Sequence, residues 1–562
     1  MSRKTLLVGL DAACWSFLEP LLEQGKLPTI ASLLHDGIWG TLDSTMPALT
    51  PAAWSSIATG KNPGKHGIFD MTRRRSGSYE QIPVNARLRY GTPFWKRLNE
   101  AGVRVGLVNI PFTYPPDEVD GFVVPGFGAP GNTSDLTWPP DALTWIEQKF
   151  GPYEPAVSAS VLRSGQYDLI YETERNHQAR QVEIALALAE RYQVDVLAIN
   201  LMLLDHINHK MPDMARVEQA ICHLDEDLAR LIMGFDPDYV MAISDHGSRR
   251  VKGDFLLHAW LRDQGYAVQL ERPLSARADV TNWILTHWFQ AKAGNDHLPL
   301  SYKVWRRLLK TGLTYLPTKL SDTLWQKIEQ DIPFAREYMR FAPELDFTQT
   351  VAYPGASYSG LIYLNLAGRE PGGIVPPERR AELAAELAEK LMTITDPDTG
   401  APLFRAVYTS DELYAGSAGL AAPDLIIDMY NSDWNILSTF RRGAYAEQAR
   451  ARYFVDSIKD FGHHSRDGIF IYSGPDFATG QVEEIGHVMD IPATLLHLYD
   501  VPVPEDWDGR SRPELFTPEF LATHPLRTQP GDPETAVSTE DIYTTDETEA
   551  IVSHLRALGY VD

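Results

Sequence analysis

Cysteine is almost missing from this chain: Cys14 and Cys222 are the only two in 562 residues. No disulfide framework can be built from them, and nothing demands an oxidising compartment. Long apolar runs are missing too, since no stretch reaches the roughly 20 residues needed to cross a bilayer. The N-terminal run from Thr5 to Leu10 is too short for a signal core and lacks a small-residue cleavage site. The expectation is a soluble, cytoplasmic protein. Positive charge is in deficit, with 51 Lys and Arg against 75 Asp and Glu and a formal net charge of −24. A surface of that sign repels polyanions, which excludes general nucleic-acid binding. It leaves room for a small anionic substrate, because bound divalent cations invert the local field. Internal repeats are absent, and nothing in the sequence sets an oligomeric state. What is present is ordinary: 44% apolar and 22% charged residues, enough for a sizeable core.

Short apolar, β-branched runs at 5–10, 103–109, 194–200, 239–243, 425–429 and 469–472 alternate with amphipathic stretches at 92–101, 176–192 and 214–234. This pattern predicts an α/β fold with a mainly parallel central sheet sandwiched by helices. A catalytic domain is expected over 1–505. Within it, the tryptophan-rich stretch 275–345 (Trp283, Trp288, Trp305, Trp325) reads as a helical insertion. It is either a subdomain with its own small core or a lid or partner surface. Residues 506–562, rich in Pro, Thr, Asp and Glu, read as an extended tail ending in an amphipathic patch at 550–560.

Parallel sheets bind ligands at the carboxyl ends of their strands. Here those ends carry Asp11, Asp205 through His209, and Asp245-His246, while Gly462-His463-His464-Ser465 precedes another strand. Asp205 and His209 are spaced i, i+4, so one face of a helical turn presents both to a single cation. Each pair alone is common; their convergence from four strand ends is not. Thr50-Pro51 through Gly60 has the marks of a helix, with Thr50 suited to the cap and Pro51 to the first position. A helix N-terminus also attracts anions, and a hydroxyl held there beside a divalent cation can ionise and attack phosphorus. Cap and nucleophile are both open to Thr50 on spacing alone.

Taken together, Gly9-Leu10-Asp11, Thr50 with Thr59-Gly60, His66-Gly67-Ile68, Asp205-x-x-x-His209, Asp245-His246-Gly247 and Gly462-His463-His464 resemble the type I phosphodiesterase/nucleotide pyrophosphatase family of the alkaline phosphatase superfamily. Two further pieces, 257–266 and 362–375, resemble its bacterial and archaeal members. The resemblance implies an alkaline phosphatase-like fold and two metal sites a few ångströms apart. One would use Asp11, Asp245 and His246, with Thr50 as the covalent nucleophile on that ion. The other would use Asp205, His209 and His464, chosen because the family's ligand stands four residues before the strand-opening glycine, here Gly468; His463 is the alternative. Mixed Asp/His ligation without cysteine suits zinc, with manganese as the other option.

The implied reaction is hydrolysis of phosphate diesters through a phosphothreonine intermediate. A phosphomonoesterase or phosphonate monoester hydrolase on the same site is the alternative, and a non-catalytic metal-binding scaffold the rival of another class. Nucleotides, lipid head groups and phosphonate esters are all candidate substrates. In one respect the chain departs from the family. The asparagine that contacts a phosphoryl oxygen in nucleotide pyrophosphatases falls at Met71, which cannot donate a hydrogen bond. Arg73, Arg74 and Arg75 follow at once, and are read either as a clamp on a second phosphate or as a solvated loop.

Overall fold

A computed structural model describes residues 3–75, 77–131, 133, 135–269, 345–355, 358–414, 422–429, 432–438, 453–456, 461–532 and 543–558. Its centre is an eight-stranded sheet, in the order Gly480–His487, Ile38–Asp43, Asp467–Ser473, Tyr239–Ile243, Thr5–Leu10, Val196–Leu201, Val105–Val108, Gly121–Val124. From Tyr239–Ile243 to Gly121–Val124 every neighbouring pair is parallel. Only Asp467–Ser473 runs against its neighbours, pairing antiparallel with both Tyr239–Ile243 and Ile38–Asp43.

Alternation along the strands sends side chains to opposite faces. Leu6, Val8, Leu10, Leu197, Ile199 and Leu201 enter one apolar cluster with the helices Tyr167–Tyr192 and Met214–Phe235. Leu7, Val196, Ala198, Met241 and Ile243 enter another with Trp54 and Ile57 of the helix Thr50–Thr59. Both faces are therefore covered, which is why the central strands read as unbroken apolar runs. Each fully buried Leu, Ile or Val contributes roughly 1.5–3 kcal/mol.

The run at 425–429 forms a strand, Leu425–Asp428, but not in the main sheet as the sequence pattern suggests. It belongs to a four-stranded antiparallel sheet with Ala352–Pro354, Leu361–Leu364 and Ala406–Thr409. Leu425 and Ile427 bury into this lobe's own core while Ile426 packs near Met46 and Phe69. Two-sided burial makes a strand uniformly apolar whatever its direction, so the pattern carries no topology. The 275–345 insertion lies, but for its last residue, outside the described residues. Beyond 505 the chain does more than extend. Leu515, Phe516 and Phe520 join one face's core, and the helix Thr545–Leu558 places Ile551, Leu555 and Leu558 in the other.

Candidate active site

The carboxyl ends of the central strands bring the expected residues into one buried cluster. Asp11 leaves Thr5–Leu10, Asp245 and His246 follow Tyr239–Ile243, and the helix Leu203–Lys210 begins just past Val196–Leu201. Asp11, Thr50, Asp205, Asp245 and His246 are all inaccessible to solvent, and His209 and His464 nearly so. Ligand atoms of Asp205, His209 and His464 lie within 4.8 Å of one another, as do those of Asp11, Asp205 and His246. Asp205 thus stands in both groups rather than in one. Asp245 Oδ2 is 3.3 Å from His246 Nε2.

Thr50 is the first residue of its helix, and Leu49, which cannot cap with its side chain, occupies the cap. The Thr50 hydroxyl makes no capping bond; it lies 3.2 Å from His246 Nε2. The far end closes as expected, with Gly60 at φ 64° donating to the Ser56 carbonyl. All of Thr50–Thr59 is buried, and its positive end faces the cluster.

His463 and His464 are separated by strand alternation, for Gly462–Ser465 pairs antiparallel with Gly247–Arg250. His464 Nε2 sits 3.0 Å from His209 Nε2 and 3.3 Å from Asp205 Oδ1. His463 Nε2 instead accepts from the Asn435 amide at 2.8 Å. The His464 Nδ1–H donates to the Ala48 carbonyl at 2.9 Å and that of His246 to the Gly247 carbonyl at 3.2 Å. Those bonds turn both Nε2 lone pairs inward, the arrangement by which proteins orient metal-binding imidazoles.

Electrostatically the cluster is short of positive charge. Burial, and then repulsion from Asp245, pushes the Asp11 carboxyl well above its usual range. Burial and then Asp205 do the same to Asp245. Burial also acts on Asp205, but His209 and His464 outweigh it and hold that carboxyl well down. Among the described residues, Asp11 Oδ1 and both Asp245 oxygens are buried without a side-chain hydrogen-bond donor, and Asp245 has only backbone N–H groups, of Ala12, His246 and its own residue, to offset its burial. Leaving such atoms bare is costly unless a cation meets them. The oxygen and imidazole donor set, free of thiolate, fits zinc or manganese.

Sequence reasoning missed Asn200, whose amide donates to Asp11 Oδ2 at 2.7 Å. An asparagine inside a fully buried apolar strand was the available signal. Gly9 makes room for it: a Cβ there would come within 2.3 Å of Asn200 Oδ1 and 2.6 Å of Trp54.

A pocket beside the cluster is lined by Leu49, Met71, His463, Tyr358, Met429 and Asn435, among others. Met71 is buried in its wall, as are the paired Asp70 and Ser359, 2.8 Å apart. Arg249 also lines it, with its guanidinium on the carbonyls of His464, Ser432 and Trp434. The three arginines do not converge as a phosphate clamp. Arg74 bonds Glu370 at 2.9 Å and stacks on Tyr363, and Arg75 pairs with Glu80 at 2.9 Å on the surface. Arg73 extends from a strand, Thr72–Arg74, whose register with Gln81–Pro83 turns successive side chains apart. His66 fixes its own loop, donating to Ser56 Oγ at 2.9 Å and accepting from Ile68 N–H.

A buried hydroxyl at a helix N-terminus thus faces Asp and His side chains gathered at the carboxyl ends of an α/β sheet. The chain belongs to the type I phosphodiesterase/nucleotide pyrophosphatase family, whose model matches residues 5–465. No curated protein matches the sequence. Among solved structures, human ectonucleotide pyrophosphatase/phosphodiesterase 5 is similar at 12% identity and TM-score 0.47, over 93% of this chain and 99% of that one. Phosphonoacetate hydrolase from Sinorhizobium meliloti is similar at 12% identity and TM-score 0.45, over 87% and 94%. A variant of the alkaline phosphatase PafA is similar at 14% identity and TM-score 0.48, over 92% and 100%.

Proposed function

We propose that this chain is a metal-dependent phosphodiesterase in which Thr50 is the covalent nucleophile. The observation that carries this reading is the Thr50 hydroxyl, released from capping and 3.2 Å from His246 Nε2, beside buried carboxylates that no side-chain cation accompanies among the described residues. Asp11, Asp245 and His246 would hold one divalent cation, and Asp205, His209 and His464 the other, with Asp205 between them. Bound there, such cations supply positive charge for the ionised hydroxyl, the phosphoryl oxygens and the leaving oxygen.

The chain's own groups do the rest. The first turn of Thr50–Thr59 directs backbone N–H groups and a positive dipole end toward a phosphoryl group. Thr50 Oγ attacks phosphorus as the bond to the leaving alkoxide breaks, giving an alcohol and a threonyl phosphate ester. Water then cleaves that ester, releasing the phosphate monoester and restoring Thr50. The net reaction is diester plus water to monoester plus alcohol.

The pocket favours the diester reading. Met71, Ile427 and Met429 make part of its wall apolar, a poor setting for a second phosphate. An apolar or neutral polar leaving group suits them better. The test is hydrolysis of bis-p-nitrophenyl phosphate beside p-nitrophenyl phosphate by metal-reconstituted protein, with Thr50→Ala as control. Faster, Thr50-dependent diester cleavage is expected. A preference for the monoester would move the assignment to a phosphatase.

A further inference from the structure

The helix Leu203–Lys210 carries Asp205 and His209, and its setting decides whether those two side chains meet one cation. Asp205 and His209 share a face, while His206, one residue on from Asp205, is turned by about 100° toward the back of the helix. There it meets the long helix Tyr167–Tyr192. His206 Nδ1 lies 3.0 Å from Glu174 Oε2, with both side chains almost wholly buried. One turn further along that helix, Gln178 Oε1 accepts from Leu203 N–H at 2.8 Å. That bond caps a helix start for which Met202 supplies no side-chain cap. The Gln178 amide group is itself oriented, because its Nε2 donates to Asp227 Oδ2 at 2.9 Å and a carboxylate can only accept. Phe127 closes the far side, its ring centroid 6.0 Å from His206 and 6.2 Å from His554 of the C-terminal helix.

This back layer lies on the side of the helix away from Asp205 and His209. Its contacts fix the rotation of the helix about its own axis and its position along that axis. A helix with one buried hydrogen bond on its rear face and a borrowed cap at its start cannot turn without breaking both. A short helix of eight residues has little stability of its own, so its geometry is imposed by such neighbours.

We infer that Glu174 is a positioning residue for the cation held by Asp205, His209 and His464, acting through His206. This rests on the two-metal reading above and adds to it the residue that sets one site's geometry. Supporting groups of this kind commonly change metal affinity by about 10–100-fold when removed.

The experiment is titration of metal-free, full-length protein with Zn²⁺ against a chromophoric chelator, alongside thermal unfolding of the metal-free forms. The wild type is expected to take up two equivalents. Glu174→Gln, close in size but lacking the carboxylate's charge and second acceptor oxygen, is expected to weaken one equivalent by about 10–100-fold and spare the other. Its metal-free unfolding temperature should stay near that of the wild type, and excess Zn²⁺ should restore kcat. His206→Gln should weaken the same equivalent, and the double variant should be no worse than either single one. It carries the comparison if Glu174→Gln does not fold. Wild-type protein that binds no metal would overturn the two-metal reading and this inference with it. Two equivalents of unchanged affinity in both variants would overturn this inference alone. So would an equal loss at both sites accompanied by a lower metal-free unfolding temperature.

Discussion

Two sets of aspartates are equally buried in this molecule and treated in opposite ways. Asp424, just before the strand Leu425–Asp428, is inaccessible to solvent and is met by Arg369 at 2.6 Å and Arg380 at 2.7 Å. Asp428 beside it is met by Arg466 at 3.3 Å. Asp11 and Asp245, at the end of the main sheet, are just as buried, yet among the described residues no lysine or arginine is paired with either. Burial of a carboxylate is tolerable when a permanent cation accompanies it. The smaller lobe brings that cation with the chain, as guanidinium. The main-sheet cluster leaves the role to something that binds. The same residue type thus serves structure in one place and recruitment in the other, and the difference lies in the partners.

Four substitutions and one titration bear on this contrast. Thr50→Ala should have the largest effect, a loss of turnover of at least about 10⁴-fold with the metal content unchanged, read by steady-state kinetics and metal analysis. Asp245→Asn should cost turnover on the order of 10²-fold or more. It should also remove one equivalent of metal while leaving the metal-free protein no less stable, because it deletes a carboxylate that burial disfavours. Asp424→Asn should do the reverse. Metal uptake should be intact, but stability should fall by about 3 kcal/mol in denaturant unfolding, since two guanidiniums lose their partner. Should Asp245→Asn destabilise and Asp424→Asn demetallate, the contrast is broken.

The smallest effect concerns His66, which burial and then Arg89 push down to about 3. A histidine kept neutral by the fold contributes stability that is complete above its unfolded value, near 6.5. That contribution is lost as pH falls from there toward 3, because the unfolded chain takes up the proton first. The slope is at most about 1.4 kcal/mol per pH unit. His66→Gln should flatten this decline in metal-free protein without altering the residual metal stoichiometry. An unchanged slope would mean that another group titrates there.

Much of the cluster was legible because its residues end strands of unusually regular apolar pattern. Asp11, Asp205, Asp245 and His246 are each placed by the last turn of the chain out of a buried strand, so reading the strand located these members of the cluster. Thr50 was half legible. Thr-Pro followed by Gly60 marks a helix, but only the backbone shows that Leu49 holds the cap and leaves the hydroxyl free. Asn435 and the Asp70–Ser359 pair were not legible, because they meet His463 and Met71 only after the smaller lobe has folded against the main sheet. The same lobe explains Arg74. Three consecutive arginines look like one patch of charge until strand pairing sends them apart, one of them to Glu370 almost 300 positions downstream.

The central claim is that phosphorus passes through Thr50, and stereochemistry tests it most directly. A phosphorothioate diester chiral at phosphorus would be hydrolysed in isotopically labelled water, and the configuration of the product determined. Two successive in-line displacements, first by Thr50 and then by water, predict retention. Inversion would mean a single direct attack by water, and would contradict the covalent role of Thr50.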